Sequence, residues 1–234
     1  MTQIGGPDYR FQPTHWSVVR QAIDPAAPDA QEALEQLIHS YWKPVYFFVR
    51  RKGHAVERAK DLTQEFFYRL LEKGGLQGYD RARGRFRTYL LGAVRFFLQD
   101  QVAAEAALKR GGGWQRVDLD YLGAEQAYVG EMPDSETPEG LFERAWAREV
   151  LQAAMEKLRL ELAAEGKEIY FEVLREHLTS AQPTYAQIAE RLDLTVTDIG
   201  NYLYRARQRL RPVFLQVVLP SLADPVEADH ELKE

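Results

Sequence analysis

The chain has 234 residues, enough for one large or two small domains, and its 45% hydrophobic and 28% charged residues are typical of a globular protein. No apolar run reaches the roughly 20 residues that a membrane helix requires, no secretory signal is visible at the N-terminus, and the absence of cysteine excludes disulfides and thiolate zinc sites, which fits a cytoplasmic protein. The net charge of −5 argues against a simple basic DNA-coating protein, so any nucleic-acid function must depend on local basic patches.

The first part of the chain predicts a series of amphipathic helices. A short helix after Thr14 is followed by a proline-rich segment, and the apolar spacing from Ala30 onward predicts a second helix. Pro44 is typical of the first turn of a third helix, which Gly53 ends. A fourth helix is predicted from about residue 55 to residue 73. Its apolar residues face inward, and its outward face carries Asp61, Gln64 and Glu65.

The stretch from residue 77 to residue 101 is the richest in arginine and aromatic residues. Such a mixture can bind phosphates while aromatic rings stack on unpaired bases. The candidate residues are Arg83, Arg85, Phe86, Arg87, Tyr89 and Arg95. In the structural alternative, Phe86, Leu90, Val94 and Phe97 share one helical face as core residues, and the arginines face solvent. We expect both, with the loop at residues 77–87 as the exposed part.

Carboxylates dominate the next segment, and from residue 117 to residue 140 there is no Lys or Arg. Prolines and the lack of a helical apolar repeat predict a mobile linker over residues 111–138. Asp118 and Asp120 have no nearby histidine and no calcium-loop pattern, so solvated carboxylates are favoured over a metal site.

The last motif lies in residues 183–211 and predicts two short helices joined by a tight turn. Thr184 with Gln187 forms a capping box, and Thr195 with Asp198 repeats the pattern at the second helix. Such closely spaced helices must cross steeply, which is the geometry of a DNA-binding helix-turn-helix. An ordinary helical hairpin with a solvated basic face remains an alternative.

The order of these motifs resembles that of bacterial sigma factors of the extracytoplasmic-function (ECF) group, in the sigma-70 superfamily. Residues 59–67, residues 86–90, Arg95 and Asp100 resemble their first conserved domain, and residues 185–210 resemble their second. The resemblance implies an all-α fold with two helical domains and a flexible acidic linker. The implied domains are an N-terminal extension with a short helix (1–28), a first domain (29–110), the linker (111–138), a helix-turn-helix domain (139–215) and an acidic tail (216–234).

The resemblance also implies roles for particular residues. Asp61, Gln64 and Glu65 match the surface that docks on core RNA polymerase. The candidate residues of the arginine and aromatic stretch match the part that reads and melts the minus-ten element of promoter DNA. The helix-turn-helix residues that match the reader of the minus-thirty-five element are Thr197, Asn201, Tyr202, Arg205 and Arg209. An anti-sigma factor is a further partner to consider, whereas no membrane insertion, catalytic residue, cofactor or metal is implied.

Some positions depart from the family pattern. Phe96 replaces a usual Asn and Tyr89 a usual Trp, which changes the side chains available to read bases. Gly200 and Tyr202 replace usual cations, which predicts weaker contact with the upstream element.

The sequence leaves two other classes of function as alternatives. In one, the chain is a helix-turn-helix regulator that does not dock on polymerase, and residues 30–110 form a sensory or dimerisation domain. In the other, Asp61 and Glu65 act as the acid/base pair of an enzyme. The chain contains no zinc-protease motif, no Walker loop and no dinucleotide fingerprint, which argues against an enzyme.

Overall fold

The computed structural model describes residues 16–24, 27–72, 76–80, 83–105, 119–131, 136–179 and 181–218. These residues form nine α-helices and no β-strand, which confirms the predicted all-α fold class. In chain order the helices are α1 (Trp16–Ile23), α2 (Ala30–Arg51), α3 (Val56–Glu72), α4 (Phe86–Glu105), α5 (Tyr121–Glu131), α6 (Pro138–Ala164), α7 (Glu168–His177), α8 (Tyr185–Leu192) and α9 (Val196–Val218). Within these ranges no helix combines the length and apolar character of a membrane span. Most of the predicted tail and parts of the predicted extension and linker lie outside the described residues.

The described residues divide into two compact units, and the division falls inside α6, between Glu149 and Val150. The sequence placed the start of the second domain at residue 139 instead. The difference has a physical cause, because polar contacts tie the first half of α6 to the N-terminal unit. Lys43 of α2 bonds to Glu149 at 2.9 Å, and Arg87 of α4 bonds to Glu143 at 2.9 Å.

Helix α2 is the central element of the N-terminal unit. It is a single helix that contains Pro44, whereas the sequence predicted two helices with Pro44 at the start of the second. A proline inside a helix removes one backbone hydrogen bond and costs about 3 kcal/mol. The residues from Tyr41 to Val49 are almost all buried, so packing on several sides of the helix offsets that cost. Gly53, with a φ of 94°, follows α2 in a conformation that favours glycine.

Helices α3 and α4 add further core residues to this unit. Leu62 and Phe66 of α3 are buried, as the spacing predicted. On α4 the four residues of the structural alternative, Phe86, Leu90, Val94 and Phe97, are all buried, which confirms that this spacing marks a core face. The Phe66 and Phe97 rings meet edge to face, with centroids 5.6 Å apart.

In the C-terminal unit, α8 and α9 begin as their caps predicted. At the start of α8, the backbone N–H of Gln187 donates to Thr184 Oγ1 at 3.3 Å, and the backbone N–H of Thr184 donates to Gln187 Oε1 at 2.8 Å. Thr195 and Asp198 form the same reciprocal pair at the start of α9. Asp193, with a φ of 53°, ends α8 in the left-handed conformation, so the connection to α9 is short.

Candidate functional site

The outward face of α3, which we call the docking face, consists of Asp61, Gln64 and Glu65. Asp61 is exposed, and the other two are partly buried. The Glu65 carboxylate accepts hydrogen bonds from Arg69 at 2.6 Å and from Gln101 at 2.7 Å. The three residues therefore lie together as predicted, but Glu65 is engaged within the N-terminal unit, which leaves Asp61 as the exposed charge of the face.

Helix α5 packs beside this face. Its first residue, Tyr121, meets the rings of Trp42 and Tyr46 edge to face, each with centroids 5.2 Å apart. The ammonium of Lys60, on α3, lies 5.9 Å from the centroid of the Tyr121 ring. Burial raises the pKa of the Tyr121 hydroxyl above its ordinary value, and the nearby Gln64 side chain offsets only part of that rise. The Tyr121 side chain therefore lies between α2 and the docking face.

A charged cluster anchors the middle of α5. Arg50 donates to both oxygens of Glu125, at 3.0 Å from Nε and 2.7 Å from Nη2, and the Tyr46 hydroxyl donates to the same carboxylate at 2.6 Å. The hydrogen bonds from Arg50 hold the pKa of Glu125 below its ordinary value. This anchor stabilises the docked helix fully above the usual pKa of a glutamate and is lost as pH falls through the depressed value.

Within the linker that the sequence predicted to be mobile, the structure has helix α5 at residues 121–131. This stretch has no helical apolar repeat, because much of what holds α5 in place is not a regular apolar face. Its side-chain contacts with α2 come from single aromatic residues and from one carboxylate that pairs with Arg50, a residue far away in the sequence. Residues 111–118 and 132–135 of the predicted linker lie outside the described residues.

Two of the predicted minus-ten residues are buried, which corrects their assignment to an exposed nucleic-acid surface. Phe86 is 3% exposed and packs edge to face on Tyr41, with ring centroids 5.4 Å apart. Arg87 is 5% exposed, bonds to Glu143, and places its guanidinium 4.1 Å from the centroid of the Trp146 ring. The cause is tertiary, because Arg87 has a carboxylate and an aromatic face on α6 that replace water as partners.

The other four minus-ten residues are at least partly accessible. Arg83 and Arg95 are exposed, whereas Arg85 and Tyr89 are half-buried. Arg95 is not unpartnered, because its Nε and Nη2 both donate to one oxygen of Glu139, at 3.1 and 2.7 Å. An acidic residue from the start of α6 therefore neutralises the predicted DNA-binding cation of α4.

Phe96 is a candidate base-contacting residue that the sequence analysis did not include among the minus-ten residues. The side chain is 71% exposed on α4, next to Arg95. The signal was present in the helical period, since Phe97 continues the core face of Phe86 and Leu90 while Phe96 falls outside it. An exposed ring beside an arginine can stack on an unpaired base. We call Arg95 and Phe96 the α4 outward pair.

The predicted residues of α9 divide into two groups. Thr197 and Asn201 are exposed at the N-terminal end of the helix. Tyr202 instead packs against Tyr170 of α7, with ring centroids 4.7 Å apart, and Arg205 donates to the Tyr170 hydroxyl at 2.8 Å. The second group is therefore partly engaged within the C-terminal unit.

Arg209 belongs to the engaged group, because its guanidinium pairs with Glu165. Hydrogen bonds from Lys167 and then from Arg209 lower the pKa of Glu165. The residue that the sequence reasoning missed is Tyr204, which is 65% exposed. It lies on the same side of α9 as Thr197 and Asn201, so these three residues form what we call the α9 outward face.

Residues 37–107 match the family model of sigma-70 region 2. No curated protein and no solved structure matches the chain. The matched residues cover most of α2 and all of α3 and α4, and so include the docking face and the α4 outward pair. The match covers less than a third of the 234 residues, so it shows a region similar to sigma-70 region 2 within the N-terminal unit. It further supports a role in binding RNA polymerase and melting promoters.

Proposed function

We propose that this protein is a sigma factor of the ECF group, which binds core RNA polymerase in the cytoplasm and directs it to promoter DNA. The observation that carries the proposal is the region 2 match over residues 37–107, because it coincides with the two surfaces that such a factor needs. The docking face on α3 serves polymerase, and the α4 outward pair serves the melted strand. The α9 outward face serves the duplex upstream.

The proposal is tested by adding the purified chain to core RNA polymerase. We expect the two to copurify, and we expect the complex to start run-off transcripts from promoters in fragments of the source genome. A regulator that does not dock on polymerase would bind DNA but would neither copurify nor support initiation by core enzyme alone.

Charge reversal at the docking face is the first prediction. Asp61→Arg should weaken binding to core polymerase by about tenfold or more, because like charges placed across an interface cost several kcal/mol. Asp61 is exposed, so the variant should keep the helicity and thermal midpoint of the parent. The affinity is measured by competition for core enzyme. Glu190→Arg, which reverses an exposed carboxylate on α8, is the matched control. Equal competition by Asp61→Arg and the parent would contradict the assignment.

The α9 outward face gives the second prediction. Tyr204→Ala should reduce binding to an intact promoter duplex, because it removes the exposed aromatic group of this face. A contact to a base edge is worth about 1–3 kcal/mol, which is about 5- to 150-fold in affinity. Duplex binding is measured at fixed salt for the polymerase complex. Gln216→Ala, an exposed change near the end of the same helix, should leave binding unchanged. Loss of binding in both variants, or in neither, would rule out a specific role for Tyr204.

A further inference from the structure

Helix α5 packs directly beside the surface that the proposed function assigns to polymerase. Tyr121 is 9% exposed and is held between α2 and α3. Asp61 and Gln64 of the docking face lie close enough to act on the pKa of its hydroxyl, and Lys60 of α3 faces its ring. A partner that covers Asp61 and Gln64 must therefore meet Tyr121 or displace it.

The contacts of α5 with α2 form one continuous strip. Behind Tyr121 comes the Glu125 cluster, with Arg50 and Tyr46. Next comes Tyr128, whose ring meets Phe47 edge to face at 5.6 Å, while the Arg50 guanidinium lies 4.9 Å from its centroid. The strip consists of a few specific contacts, so removal of the contacts at one end weakens the attachment of the whole helix to α2.

The helix is poorly suited to persist without this support. It has 11 residues, fewer than the roughly 12–15 that an isolated helix needs, and it includes Gly123 and Gly130. Glycine is among the poorest helix formers. On its outer side Leu122 and Val129 are exposed. The helical form of α5 therefore depends on its contacts with α2 and α3, and a competitor that removes them would also unfold it.

We propose that α5 is an intramolecular competitor for the docking face, which core RNA polymerase displaces when it binds. The inference rests on the proposed function, because it concerns the regulation of that same site. In the free protein Tyr121 and Glu125 hold α5 in place beside Asp61 and Gln64. Part of the binding free energy for polymerase is then used to release α5, so the free chain has a lower affinity than its docking face alone would give.

The first experiment measures the affinity of the full chain for core polymerase after α5 is loosened. The double variant Tyr121→Ala/Glu125→Ala removes both anchors, and the matched control Leu122→Ala/Gln126→Ala changes exposed positions of the same helix. We expect the double variant to bind about 5- to 150-fold more tightly than the parent, the range of typical coupling between two sites. The control should bind as the parent does. Unchanged or weaker binding of the double variant would overturn the proposal.

The second experiment uses the unmodified chain, so it decides the question even if the double variant folds poorly. Hydrogen exchange of the backbone amides of residues 121–131 is followed with and without core polymerase. Displacement predicts faster exchange in the complex. Slower exchange would show that α5 forms part of the interface, and unchanged exchange would show that it stays in place. Either result overturns the proposal. If neither the parent nor the variant binds core polymerase, the proposed function itself fails and this inference falls with it.

Discussion

Arg87→Ala should lower the free energy of unfolding by about 2–4 kcal/mol. The substitution removes a desolvated cation–π contact with Trp146, worth about 2 kcal/mol, and leaves a cavity between α4 and α6. Glu143, the partner carboxylate, is only partly covered and can return to water, so the loss stays below that of a fully buried ion pair. Urea unfolding followed by helical circular dichroism gives the measurement.

The matched control for this variant is Arg95→Ala on the same helix. Arg95 also pairs with a glutamate of α6, but its side chain is exposed, and exposed pairs contribute about 0–1 kcal/mol. The two variants should therefore differ in effect. Arg87→Ala should lower the free energy of unfolding, whereas Arg95→Ala should affect only DNA binding. If Arg87→Ala unfolds at the same urea concentration as the parent, the contact with Trp146 has no structural importance.

Phe96→Ala should reduce the amount of open promoter complex by about 5- to 150-fold while closed-complex formation stays near that of the parent. The expectation follows from the exposure of the ring on α4 and from base stacking, which is worth about 1–3 kcal/mol per base. Open complex is measured by the permanganate reactivity of unpaired thymines in the promoter. A template that is already unpaired over the minus-ten element should restore transcription.

Gln99→Ala, an exposed change one turn further along α4, serves as the control and should open promoters as the parent does. A fold defect is excluded by an unchanged thermal midpoint, which the exposed position of Phe96 predicts. If Phe96→Ala opens duplex promoters as fast as the parent, the α4 outward pair does not bind the melted strand.

Local signals in the sequence predicted part of the fold. The capping boxes at Thr184 and Thr195 depend on residues three positions apart, so they form whenever a helix starts there. The core face of α4 follows from the helical period, which is equally local. These elements needed no knowledge of the rest of the chain.

Long-range packing determines the features of the fold that local sequence patterns did not predict. The continuity of α2 through Pro44 depends on burial around the residues that follow it, which a propensity argument cannot weigh. Helix α5 depends on a glutamate that pairs with Arg50 from another helix. For the candidate site, the grouping of Asp61 with Gln64 was predictable from spacing. The burial of Arg87 was not, because Glu143 and Trp146 become its neighbours only in the folded chain.

If the protein acts as the proposed sigma factor, the partners of α9 also affect its binding to non-promoter DNA. Binding to non-promoter DNA comes almost entirely from phosphate contacts by cations. On α9, Arg205 is held by Tyr170 and Arg209 by Glu165, so each must give up an interaction before it reaches a phosphate. The net charge of −5 adds a general repulsion. A chain with these properties should dissociate rapidly from random sequence and spend most of its time in solution, where encounters with polymerase occur.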